Sequence, residues 1–142
     1  MFFSVGVETP KDENTAYGMI VPAFSAYDYG CFSAADSQDQ IGPMVKEAIL
    51  LVAEDLLRSG IAANEIKDAG YLVYSANPEY KDFDSWVMVD VDLSSFEGKP
   101  QRINISLPDT LIKRIDSAVK GNSVYRDRSH FIAQAARHAL NQ

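Results

Sequence analysis

Arg102-Ile103-Asn104-Ile105-Ser106-Leu107-Pro108 alternates polar and apolar side chains over six residues and then meets a proline. The alternation places Ile103, Ile105 and Leu107 on one face of a strand and Arg102, Asn104 and Ser106 on the other. Pro108 stops the strand and suits the first turn of a helix. Leu111, Ile112, Ile115, Ala118 and Val119 then keep the 3.6-residue period up to Gly121, the expected left-handed cap. After a polar turn Asp127 is a candidate N-cap, and Phe131, Ile132, Ala135, Ala136, Ala139 and Leu140 form a second apolar stripe. Residues 101–142 therefore read as strand, helix, helix. One strand with no hairpin partner cannot satisfy its own backbone, and so short a chain cannot bury three apolar faces alone. The economical solution is a homodimer in which two copies of the strand pair antiparallel about a two-fold axis and four helices close a shared core.

The outer face of such a ribbon carries two copies each of Arg102, Asn104 and Ser106. A two-stranded ribbon fits the major groove of B-DNA, where Arg forks onto guanine O6/N7 and Asn onto adenine N6/N7. These three residues are the candidate base readers of an operator. Arg128 and Ser129 open the second helix, with Arg126 just before it, where backbone N–H groups and the helix dipole suit a phosphate. The plain alternative is that Arg102, Asn104 and Ser106 only solvate an exposed ribbon. Arg102-Ile-Asn-Ile-Ser-Leu-Pro108, the Ile115-Asp116 helix and Arg128-Ser129-His-Phe-Ile-Ala resemble the ribbon-helix-helix DNA-binding domains, over about forty residues.

The charge is divided accordingly. Residues 1–100 carry six basic and seventeen acidic side chains, a net of −11, and residues 101–142 carry seven basic and three acidic, a net of +4. Phosphate repels an acidic surface, so the tail is the part suited to nucleic acid and the body the part suited to a basic protein. Ser94-Ser95-Phe96-Glu97-Gly98-Lys99-Pro100 has no sustained periodicity and reads as the linker, which leaves domains at 1–93 and 101–142.

In the body, Met1 to Thr9 and Tyr17 to Phe24 read as a hairpin around Pro10-Lys11-Asp12-Glu13-Asn14, with Cys31 to Ala35 a third strand. Ile41, Met44, Val45, Ala48, Ile49, Val52 and Leu56 keep helical spacing until Ser59-Gly60. Trp86 to Leu93 alternates again, and Tyr71 to Ser75 is a weaker strand candidate. The fold class expected is α+β: a small open, mainly antiparallel sheet with one long helix, followed by the dimeric tail. The tyrosines Tyr17, Tyr27, Tyr29, Tyr71, Tyr74 and Tyr80 read mostly as core or edge, with some suited to a protein interface.

Catalytic and metal readings find little footing. Asp90 and Asp92 share a strand face, and Glu8 or Glu47 would have to join them to hold the two metal ions of a nuclease; solvated carboxylates on an edge strand are the plainer reading. One cysteine makes no zinc site, and His130 and His138 are eight residues apart. Cys31 reads as a small core residue. No cofactor is expected. The longest uncharged apolar run of the long helix, Ala48 to Ala53, is far too short to span a bilayer. The lone cysteine and the absence of a basic leader fit a reducing cytoplasm.

Gly30-Cys31-Phe32-Ser33-Ala34-Ala35-Asp36-Ser37, a helix rich in Glu and Ala, a strand ending in Asp92-Leu93 and a ribbon-helix-helix tail together resemble the HicB family of antitoxins, over nearly the whole chain. Ala35 departs from the glycine expected before the Asp. The resemblance implies a partial, degenerate ribonuclease H-like domain that is not an enzyme. It would bind and neutralise a small basic ribonuclease toxin, HicA-like, while the tail represses the chain's own operon. It singles out no toxin-contact residues. The competing reading is a dimeric repressor whose acidic domain senses a small molecule.

Overall fold

The structure, a computed structural model, describes residues 1–140. The chain divides into two compact units, Met1–Gly98 and Lys99–Gln142.

The first unit is built on four strands, β1 (Phe2–Glu8), β2 (Tyr17–Ile20), β3 (Phe32–Ala35) and β4 (Ser85–Asp90). Their order is β3-β2-β1-β4, and every neighbouring pair is antiparallel. The central β1 is buried on both faces, which is why FFSVGVE has no regular polar alternation. Phe3, Val5 and Val7 face α1 (Ile41–Arg58), whose Val45, Ile49, Ala53 and Leu56 complete the core with Met19, Ala35 and Cys31. The helix ends as its sequence predicts. The Ser59 N–H donates to the Asp55 carbonyl (3.1 Å), and Gly60 turns the chain at φ 104.

The other face is covered by the chain between α1 and β4. Ser4 donates to Asp68 twice, through its N–H to Oδ1 (2.8 Å) and through Oγ to Oδ2 (2.7 Å), and so pins that segment to β1. Tyr71–Ala76 is a short helix, α2, not a strand. Its Tyr74 ring stacks on Trp86 at 6.1 Å, and Tyr80 meets both edge-on. These rings lie over Gly6, where a Cβ would come within 3.0 Å of Ile20 Cγ2 and Trp86 Cη2. Glycine is therefore what lets the aromatic layer sit on the strand.

Three boundaries move from their sequence reading. β2 stops at Ile20, because Pro22 has no N–H for the ladder and instead opens a 3-10 turn, Pro22–Tyr27, that stacks Phe24 on Phe3 at 5.4 Å. β4 stops at Asp90, and Val91 and Leu93 turn into the core. Ser94–Glu97, expected as linker, is a helical turn, α3, whose Phe96 packs on the core of the first unit.

The second unit holds α4 (Asp109–Gly121) and α5 (Arg128–Leu140). Gly121 is not the left-handed cap. It closes the helix with ordinary backbone, and Asn122 adopts an extended conformation and accepts the Val124 N–H at Oδ1 (3.0 Å). An Asn that satisfies the next turn through its own side chain removes the need for a positive φ at the glycine.

Candidate nucleic-acid interface

The start of α5 is set by Asp127, as the sequence suggests. Its Oδ1 accepts the His130 N–H (2.8 Å), and its carbonyl accepts the Phe131 N–H (3.1 Å). The turn before it is held from the helix side. His130 Nδ1 accepts the Arg126 N–H (3.2 Å), and Tyr125 packs edge-on against Phe131 at 4.8 Å. The structure thus brings Arg126, Arg128 and Ser129 together, all exposed, around the N-terminus of α5.

Arg128 is not idle there. Its Nε and Nη2 donate to the two carboxylate oxygens of Asp116 on α4, at 3.0 and 2.9 Å. Hydrogen bonding and charge from Arg128 hold the Asp116 carboxyl below its usual range and push the guanidinium up. The bidentate pair clasps α4 to α5 and leaves Nη1 as the edge of Arg128 open to an anion. Sequence reasoning missed Asp116, Tyr125 and His130 as the residues that shape this corner. The spacing of twelve between Asp116 and Arg128 carries no local signal, because the pair exists only once the two helices cross.

Residues 101–108 lie outside every helix and strand of the described chain, and Arg102, Asn104 and Ser106 are exposed. So are the apolar residues between them: Ile103 is 75% and Ile105 53% exposed. Apart from Ile115, the rest of the unit is half-buried at best. Ile115 is the one described residue of it that is buried, at 5% exposure, while Ala135, Ala136 and Leu140 of α5 face solvent.

The carboxylates considered for a nuclease centre do not converge. Asp90 Oδ1 accepts from the N-terminal ammonium at 3.0 Å, and Asp92, beyond the end of β4, is held below the usual carboxylate range by hydrogen bonds from the Ser94 hydroxyl and N–H. Glu8 is six residues along β1 from Phe2, the residue opposite Asp90, so roughly 20 Å away. Glu47 is exposed on α1. Among the described residues no three His, Cys, Asp or Glu side chains are grouped to hold a metal, and no helix is long and apolar enough to cross a membrane.

Residues 3–136 match the family described as the HicB-like antitoxin of bacterial toxin-antitoxin systems. The chain belongs to that family. Its α+β architecture matches the crystal structure of the Burkholderia pseudomallei antitoxin HicB, with 33% identity, 99% of each chain covered and a TM-score of 0.53. The isolated N-terminal domain of that HicB aligns with 66% of this chain, all of its own length, at 30% identity and a TM-score of 0.51. The structure of antitoxin HicB3 shares the fold at 22% identity and a TM-score of 0.55, over 98% of this chain and 97% of its own. An uncharacterised 14.9 kDa protein from the rep-hol intergenic region of Haemophilus phage HP1 is 39% identical over 114 residues, 78% of this chain and 81% of that protein.

Proposed function

We propose that this HicB-like antitoxin uses its two units for two tasks: the acidic unit binds and neutralises a small basic HicA-like ribonuclease, and the tail dimerises to bind operator DNA and repress the chain's own operon. The observation that carries the tail half is its unsatisfied surface. A unit that buries Ile115 alone and exposes Ile103 and Ile105 lacks the core it needs, and a second copy supplies it. Pairing residues 102–107 across a two-fold axis would cover the isoleucines beneath a ribbon-helix-helix core and turn Arg102, Asn104 and Ser106 outward to read bases. Arg126, Ser129 and the Nη1 edge of Arg128 would meet the flanking phosphates.

The body half rests on charge. A net of −11 over residues 1–100 repels RNA and DNA and attracts a basic protein, and its effect should appear mainly as a fast, salt-sensitive association. The reading places the protein in the cytoplasm, beside its operator, and assigns it no catalysis.

Two measurements test this together. Co-expression of the full chain with a small basic HicA-like ribonuclease should relieve growth arrest, and a fragment of residues 1–98 should do so too. The full chain, but not that fragment, should retard DNA from upstream of its own reading frame. Failure of the folded fragment to neutralise overturns the division of labour, and retardation by the fragment overturns the role of the tail.

A further inference from the structure

β4 is an edge strand whose neighbouring side-chain charges along the chain are all carboxylates at or beyond its ends. Ser85-Trp86-Val87-Met88-Val89-Asp90 contains no lysine, proline or glycine, and no strand pairs with its outer side among the described residues. The ladder fixes which groups it offers. The Val91 N–H donates to the Met1 carbonyl at 2.8 Å, so the hydrogen-bonded pairs with β1 are Phe3 with Val89, Val5 with Val87 and Val7 with Ser85. The N–H and C=O groups of Trp86, Met88 and Asp90 therefore point away from the sheet. Between them the side chains of Val87 and Met88 are 40% and 44% exposed, one on each face. The opposite edge, β3, is only four residues long and has α1 packed along it.

The charges around this edge select its occupant. Asp82 and Asp84 precede the strand, and Asp90 and Asp92 end and follow it. A second copy added antiparallel about a two-fold axis at the strand's middle would drive Asp82 and Asp84 of one copy against Asp90 and Asp92 of the other, four carboxylates at each end of the joint. A basic strand meets the same carboxylates with opposite charge; of these, only Asp90 is already ion-paired among the described residues, to the N-terminal ammonium. We propose that the outer edge of β4 is the docking surface for the basic protein partner, which adds a strand of its own to this sheet through the backbone of Trp86, Met88 and Asp90 and covers Val87 and Met88. The proposal rests on the antitoxin reading above and names the surface that reading leaves unassigned.

The test uses the full chain and, as probe, a small basic HicA-like toxin in a ribonuclease-inactive form, with affinity measured by titration calorimetry. Met88→Pro removes an outward N–H and no bond of the inner ladder, a position where an edge strand tolerates proline. It should weaken binding about thirtyfold or more, whereas Met88→Leu, which keeps the N–H and the apolar surface, should stay within about threefold. Val87→Lys puts a charge in the middle of the strand and should weaken binding likewise, so the proposal stays testable if Met88→Pro does not fold. Asp82→Lys should slow association. Wild-type affinity for folded Met88→Pro and Val87→Lys overturns the β4 surface while leaving the antitoxin reading intact. So does a dimer of the chain, seen by sedimentation, that Val87→Lys dissociates. Absence of binding by the unaltered chain overturns the antitoxin reading itself.

Discussion

Arg128 cannot give its whole guanidinium to a phosphate while Asp116 holds two of its three nitrogens. On the proposed DNA-binding role its contact is then a single charged edge, and Arg128→Ala should weaken operator and scrambled duplexes about equally and make the slope of log K against log salt shallower by roughly one unit. If the proposed ribbon forms, Arg102 stands on its reading face, so Arg102→Ala should instead cost on the order of 1–3 kcal/mol per half-site on operator DNA and little on scrambled DNA. Anisotropy titrations of both variants at several salt concentrations separate the two, and an unaltered operator preference for Arg102→Ala removes the ribbon as the reading element. The clasp has its own signature in pH. Asp116 is held below its ordinary value when folded, so its contribution to stability is present above the unfolded pKa of about 4 and fades as pH falls through the lowered folded value. The difference in thermal midpoint between the wild type and Asp116→Asn should hold from pH 7 to 5 and close below that window. Cys31 behaves oppositely: burial pushes its thiol up to about 11. At pH 8 its reaction with a disulfide reagent should be on the order of a hundredfold slower in the folded chain than in denaturant, because the thiolate is the reacting form.

At the level of elements, what the sequence displayed was periodicity, and what it concealed was contact. The stripe through Val45, Ile49 and Leu56 announced α1, and Asp127 announced α5, because each signal is complete within one or two turns. Residues 71–75 misled because Tyr and Val favour strands, yet the segment is anchored by Tyr74 on Trp86, a partner twelve residues on whose ring position follows from the β1–β4 register. Phe96 was hidden in a stretch with linker composition for the same reason. Alternation put Arg102, Asn104 and Ser106 on one face of an expected strand, whereas in the structure residues 101–108 form no strand, and the corner at Arg126, Arg128 and Ser129 was legible only in part, since the Asp116 clasp depends on how α4 crosses α5. Gly6 shows how firmly such contacts bind a strand. Gly6→Ala pushes a methyl against Ile20 and Trp86 with no backbone strain to relieve, and should lower stability by about 1–3 kcal/mol through overpacking. Chemical denaturation reads this directly, and a neutral result would mean that the Trp86 layer yields more readily than its packing suggests.

For the whole molecule, opposite charge on two units argues for two separable folding events as well as two partners. The first unit has a continuous core from Phe3 to Leu93, while the tail buries Ile115 and leaves its other apolar residues half-covered or exposed. Heating the full chain should therefore give two transitions that respond differently to concentration. If the tail folds only as a dimer, each tenfold rise in concentration adds about 1.4 kcal/mol to its unfolding. With an unfolding entropy of roughly 2.1 cal/mol/K per residue over two copies of residues 101–142, the midpoint should rise by about 8 °C per decade of concentration. The midpoint of the first unit should not move, because its acidic surface and carboxylate-flanked β4 edge oppose self-association. Differential scanning calorimetry over two decades of concentration distinguishes these outcomes. A tail transition that stays fixed, with a monomeric mass by sedimentation, removes the ribbon and with it the arrangement of Arg102, Asn104 and Ser106. A first-unit transition that climbs with concentration places the self-association in the body, where a strand-adding basic partner would have to displace it.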